Sequence, residues 1–118
     1  MNVVLLTSDL IVSSRVEGAA LRNGIDLRTV TSAEAAVQSC VERSPDKLIV
    51  DLGTPSLDVA KLVARVKRGS GNSPHIVAFG PHVHAELLAN ARQAGCDEVV
   101  SRGQFFSQLE GMLSCTAP

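Results

Sequence analysis

Five short apolar runs recur along the chain: Val3 to Leu6, Leu27 to Val30, Leu48 to Val50, Ile76 to Phe79, and Val99 to Val100. Runs rich in Val, Ile and Leu, bounded by turn residues, suit strands of a parallel sheet whose two faces are both shielded from water. Between them lie segments with apolar residues three or four apart, the period of a helix with one buried stripe. Strand and helix therefore alternate five times. That order predicts a parallel sheet with helices on both faces and right-handed crossovers.

The helices carry their own start and stop signals. The first places Val12, Val16, Ala19 and Ala20 on one stripe, with Ser8 or Asp9 as N-cap and Gly24 closing the end. The second opens with Thr31 and Glu34 at capping-box spacing and continues with Ala36, Val37, Cys40 and Val41. The third carries Val59, Leu62, Val63 and Val66 and stops before the turn-forming run Gly69-Ser70-Gly71-Asn72-Ser73-Pro74. The fourth offers Val83, Leu87, Ala91 and Ala94 up to Gly95; the fifth offers Phe105, Leu109, Met112 and Leu113. With no linker and no internal repeat, residues 1–118 are expected to form one domain around one core.

Composition narrows the functions available. A hydrophobic share of 45% against 19% charged residues predicts a chain that folds throughout. A formal net charge of -1 offers no field for a polyanion, and the cluster Arg65, Lys67 and Arg68 reads as a solvated helix end, so no nucleic-acid partner is expected. Three phenylalanines and no Trp or Tyr leave few surfaces for stacking a base or a sugar. No apolar run reaches the length of a bilayer span or a signal segment; the expectation is a cytoplasmic protein without membrane contact. Cys40, Cys96 and Cys115 lack Cys-x-x-Cys spacing and read as reduced thiols. His75, His82 and His84 match no structural zinc pattern.

In open α/β sheets the functional crevice lies beyond the carboxyl ends of the strands. The residues placed there are Thr7 to Asp9, Asp51 to Pro55, Phe79 to His82, and Ser101 to Gly103. Two of these stretches carry a resemblance. Leu48-Ile49-Val50-Asp51-Leu52-Gly53-Thr54-Pro55-Ser56-Leu57-Asp58 is similar to the third strand, phosphoacceptor aspartate and Pro-containing loop of response-regulator receiver domains. Ala94-Gly95-Cys96-Asp97-Glu98-Val99-Val100-Ser101-Arg102 is similar to the same family's helix-four exit and fifth strand. The resemblance covers essentially the whole chain. It implies a doubly wound (βα)5, flavodoxin-like three-layer sandwich with strand order 2-1-3-4-5 and Asp51 at the phosphoacceptor position.

In that family a divalent cation and a lysine neutralise charge, because a carboxylate attacks an anionic phosphate poorly without them. Here Thr7 and Ser8 stand where the family has its acidic pair, which leaves only Asp9 one position later. Gly80 replaces the switch hydroxyl, Val99 the switch aromatic, and Arg102 the lysine; an arginine fork cannot place the same compact charge. The resemblance thus implies a pseudo-receiver variant lined by Thr7, Ser8, Asp9, Gly53, Gly80 and Arg102, with Gly80 and Val99 at the switch positions. No cofactor or metal is expected; Mg²⁺ could enter only weakly, through Asp9 and Asp51.

The function expected is a non-enzymatic signalling module that works through protein contacts, with weak or no phosphorylation of Asp51. Its partner would be a histidine kinase, a downstream signalling protein or a second copy of the chain. The face formed by helix four, strand five and helix five is the one implied, carrying Val83, Leu87, Val99, Gln104 and Phe105. Two readings compete: a conventional Mg²⁺-dependent phosphorelay receiver, and a flavodoxin-like cofactor-binding domain. The second lacks a glycine in Thr7-Ser8-Asp9-Leu10 to hold a flavin phosphate.

Overall fold

A computed structural model of the protein describes residues 1–69 and 73–114. The elements run β1 (Asn2–Leu6), α1 (Leu10–Arg22), β2 (Asp26–Val30), α2 (Ala33–Arg43), β3 (Lys47–Asp51), α3 (Val59–Gly69), β4 (His75–Gly80), α4 (Ala85–Ala94), β5 (Glu98–Ser101) and α5 (Arg102–Met112). The strands form one parallel sheet in the order β2-β1-β3-β4-β5, the doubly wound arrangement expected. Register aligns the carboxyl ends: Leu6 pairs with Val50, Asp51 with Phe79, and Gly80 with Ser101. The loops leaving β1, β3, β4 and β5 therefore open on the same edge.

Strand alternation divides the core between the two faces. Val4, Leu6, Leu48, Val50, Ile76 and Ala78 pack with Ala36, Cys40, Leu62, Val63, Val66, Leu88 and Ala91 from α2, α3 and α4. Val3, Leu5, Ile49 and Phe79 face the other way, against Val12, Val16, Ala19, Phe105 and Leu109 of α1 and α5. Phe79 and Phe105 stack with ring centroids 4.1 Å apart and planes 8° from parallel. The near-continuous apolar strands are explained by this double coverage.

Asp9 is the N-cap of α1; its Oδ1 accepts from the N–H groups of Ile11 and Val12 at 2.8 and 3.4 Å. Helix α1 closes at Asn23, and Gly24 follows at φ +66, a conformation glycine reaches without a Cβ clash. Gly95 does the same at α4, with φ +102.

Four local expectations are corrected. The N-cap of α2 is Ser32, not Thr31: its hydroxyl accepts from Ala35 N–H at 3.2 Å, while Glu34 turns outward to a two-pronged pair with Arg65 of α3. Val41 points to solvent, and Ser39 takes a buried place on that helix. Val83 precedes α4 and is 74% exposed, and Leu88 supplies the buried leucine. Arg102 is not loop but the first residue of α5, started by a reciprocal capping box between Ser101 and Gln104. Ser70, Gly71 and Asn72 of the turn run, and Cys115, lie outside the described residues.

Candidate functional site

Asp51 ends β3 at the centre of the open edge and is 5% exposed. A buried carboxylate is costly unless donors replace water. Both of its oxygens have one: the Thr7 hydroxyl donates to Oδ2 at 2.7 Å, and the Gly53 N–H donates to Oδ1 at 2.9 Å. The Asp51 carbonyl accepts both the hydroxyl and the N–H of Thr54, at 2.7 and 3.1 Å, which folds the loop back beneath the strand end. Gly53 leaves room for this arrangement, since a Cβ there would stand 3.2 Å from Asp51 Oδ1.

Thr7 joins the strands' ends twice. While its hydroxyl donates to Asp51, the same oxygen accepts the Asp9 N–H at 3.1 Å, and its own N–H donates to Val30. Ser8 is exposed at the rim. Asp9 Oδ2 meets an Nη of Arg102 at 3.2 Å. The Ile11 N–H, followed by the Arg102 hydrogen bond, holds the Asp9 carboxyl below its ordinary value. Arg102 thus answers Asp9, not Asp51, and its guanidinium also lies 5.6 Å from the Phe106 ring centroid. On the other side of the edge Arg15 of α1 sits 3.9 Å from the same centroid. Sequence reasoning missed both Arg15 and Phe106, because nothing in their spacing links an α1 cation to an α5 ring.

Gly80 closes β4, buried, and the space where a side chain would begin is lined by Leu52 Cβ at 3.4 Å, Leu52 Cδ1 at 3.6 Å and Leu88 Cδ2 at 3.7 Å. A side chain at this position would begin in ordinary contact with leucine carbon. Val99 pairs with Ala78 across β4 and β5 and is half-buried against the α2–α4 core. Of the expected partner face, Phe105 is fully buried, Gln104 is held by its capping box, and Val99 and Leu87 are half-buried; only Val83 stands out as an exposed apolar side chain.

The residues around Asp51 do not suit Mg²⁺, which wants several anionic or carbonyl oxygens around it. Thr7 and Gly53 present hydrogens to the Asp51 oxygens, and Asp9 faces a guanidinium. Among the described residues no group of three or more His, Cys, Asp or Glu gathers as a metal site. His75 instead contacts Glu98 at 3.1 Å. Burial raises the thiols of Cys40 and Cys96 to about 11. No helix among the described residues is long and apolar enough to cross a membrane.

No family model matches the chain, and no curated protein does. Solved structures do match, receiver domains among them. The signal receiver domain of a response regulator from Bermanella marisrubri superposes with a TM-score of 0.81 at 16% identity, covering 95% of this chain and 93% of that one. The receiver domain of the sensor histidine kinase PA1611 from Pseudomonas aeruginosa, which has a magnesium ion coordinated in its active-site cleft, gives 0.79 at 19% identity over 95% and 93%. The chemotaxis response regulator CheY4 of Vibrio cholerae gives 0.78 at 15% identity over 95% and 94%. The fold of this chain is the response-regulator receiver fold.

Proposed function

We propose that this chain is a receiver-fold signalling module that works through protein contacts, in the cytoplasm and without enzymatic activity, with Asp51 serving as a hydrogen-bonded anchor instead of a switched nucleophile. One observation carries the reading: both Asp51 oxygens are occupied by neutral donors from the chain itself, the Thr7 hydroxyl at 2.7 Å and the Gly53 N–H at 2.9 Å. Each oxygen keeps a second lone pair, but a phosphoryl acceptor also needs nearby positive charge to bring an anion up to an anion. Arg102, at the same edge of the sheet, is committed to Asp9 at 3.2 Å. Breaking the Thr7 bond would leave a buried carboxylate oxygen unpaired, a cost of roughly 1–3 kcal/mol that opposes the reaction before it begins.

Intact-mass measurement after treatment with acetyl phosphate or phosphoramidate and Mg²⁺ tests the reading, with Asp51→Asn as control. The expected result is no Asp51-dependent addition of a phosphoryl group. An addition that appears in the parent protein and vanishes in Asp51→Asn would establish the conventional phosphorelay receiver in its place.

A further inference from the structure

If the module works by contact, its docking surface should be visible, and the face first expected is largely consumed by the core. What remains open of it, at Val83 and Leu87, faces the loop leading into α3. Two adjoining hollows of about 470 and 550 Å³ share Leu87 and Asn90 and run from the loop after β3 across α4 to the segment before it. Leu52, Leu57, Val59, Leu87 and Ala94 supply apolar surface along the first, and Val83, 74% exposed, extends it at the far end. Asp58 and Glu86 bring two carboxylates to the lining, and no Lys or Arg is among its described residues.

We infer that this groove between α4 and the loop leading into α3 docks an apolar segment of a partner protein that carries Lys or Arg beside its apolar residues. The proposal rests on the contact-based reading above and adds the partner's chemistry. An apolar strip gives burial energy in proportion to area, and two carboxylates, with His84 the one basic side chain among the described lining residues, select a basic occupant over an acidic one. The groove also reaches the site. Leu52 follows Asp51 directly, its N–H donates to the Phe79 carbonyl at 2.9 Å, and its side chain fills the space over Gly80. A segment seated here touches the residue next to Asp51.

The test uses ¹⁵N-labelled full-length protein and two synthetic amphipathic peptides that share their leucines but carry either lysines or glutamates beside them. Expected are amide shifts concentrated at Leu52, Leu57, Leu87 and Asn90, and a lysine peptide that binds roughly tenfold tighter than the glutamate peptide in low salt. Glu86→Lys, at an exposed position, should bring the two affinities to within about twofold of each other, and Asn90→Lys serves as an independent second variant. Equal affinities in the parent protein, shifts centred on α1 or α5, or an absence of shifts would overturn the groove. Phosphorylation of Asp51 would end the contact-based reading whatever the peptides do; an inert Asp51 with misplaced shifts would end the groove alone.

Discussion

At the residue scale the decisive contact is the one between the Thr7 hydroxyl and Asp51. Thr7 is 1% exposed and its oxygen lies 2.7 Å from Asp51 Oδ2, so its chemistry acts on Asp51 with little screening by water. Thr7→Val keeps the shape and removes the donor; it should cost roughly 1–3 kcal/mol, because the carboxylate oxygen stays buried and unanswered. Thr7→Asp restores a carboxylate and sets two like charges against each other, so the loss should be at least as large, of order 2–3 kcal/mol. The two variants separate on adding a cation: millimolar Mg²⁺ should recover stability in Thr7→Asp and leave Thr7→Val unchanged, read as urea midpoints. A Thr7→Asp protein as stable as its parent without cation would show that Thr7 and Asp51 are not coupled. The position of Asp51 is legible from sequence, since the end of an apolar strand is a local property. That Arg102 answers Asp9 is not, because it depends on where a side chain leaving α5 meets one leaving β1, 93 residues apart.

Elements show why some boundaries read well and others did not. The buried stripe of α1 is recovered residue for residue, as Val12, Val16, Ala19 and Ala20, because one helix face meets one sheet face. Two neighbouring hydroxyls precede α2, and both Thr31 and Ser32 can cap; the tertiary pull of Arg65 on Glu34 fixes Glu34 outward and leaves the cap to Ser32. Around α4, Val83 and Leu88 exchange roles because the helix begins two residues later than its apolar spacing suggests. The close of β4 carries a prediction of its own. Gly80→Ser introduces a hydroxyl there; its Cβ would stand in ordinary contact with Leu52 and Leu88, at 3.4 to 3.7 Å, and the Oγ beyond it would be buried beside leucine carbon. Burying that hydroxyl without a partner should destabilise by about 1–3 kcal/mol, with no gain in reaction with a phosphodonor. A stability at or above that of the parent would mean that the new hydroxyl finds a hydrogen-bond partner at the end of β4.

For the whole molecule the strand order sets a gradient of stability. Strands β1, β3 and β4 are the interior of the sheet, and their apolar residues from Val3 to Leu6, Leu48 to Val50 and Ile76 to Phe79 are all fully buried. Strands β2 and β5 are the edges, with no residue of either in the buried class. Amides open with free energies that range from near zero at frayed elements up to the global value in the core. Hydrogen exchange should therefore be slowest in β1, β3 and β4, tracking global unfolding there, and faster in β2 and β5. The Asp51 anchor joins the central strand to an interior neighbour: Thr7 follows β1, Asp51 ends β3, and the bond between them lies within the slow core. In Thr7→Val the protection of β1 and β3 should fall together with the global stability, while the edge amides of β5 change little. A loss confined to the loop after β3 would make the Thr7–Asp51 bond a local clasp; a loss shared by β1 and β3 makes it part of what holds the centre of the sheet.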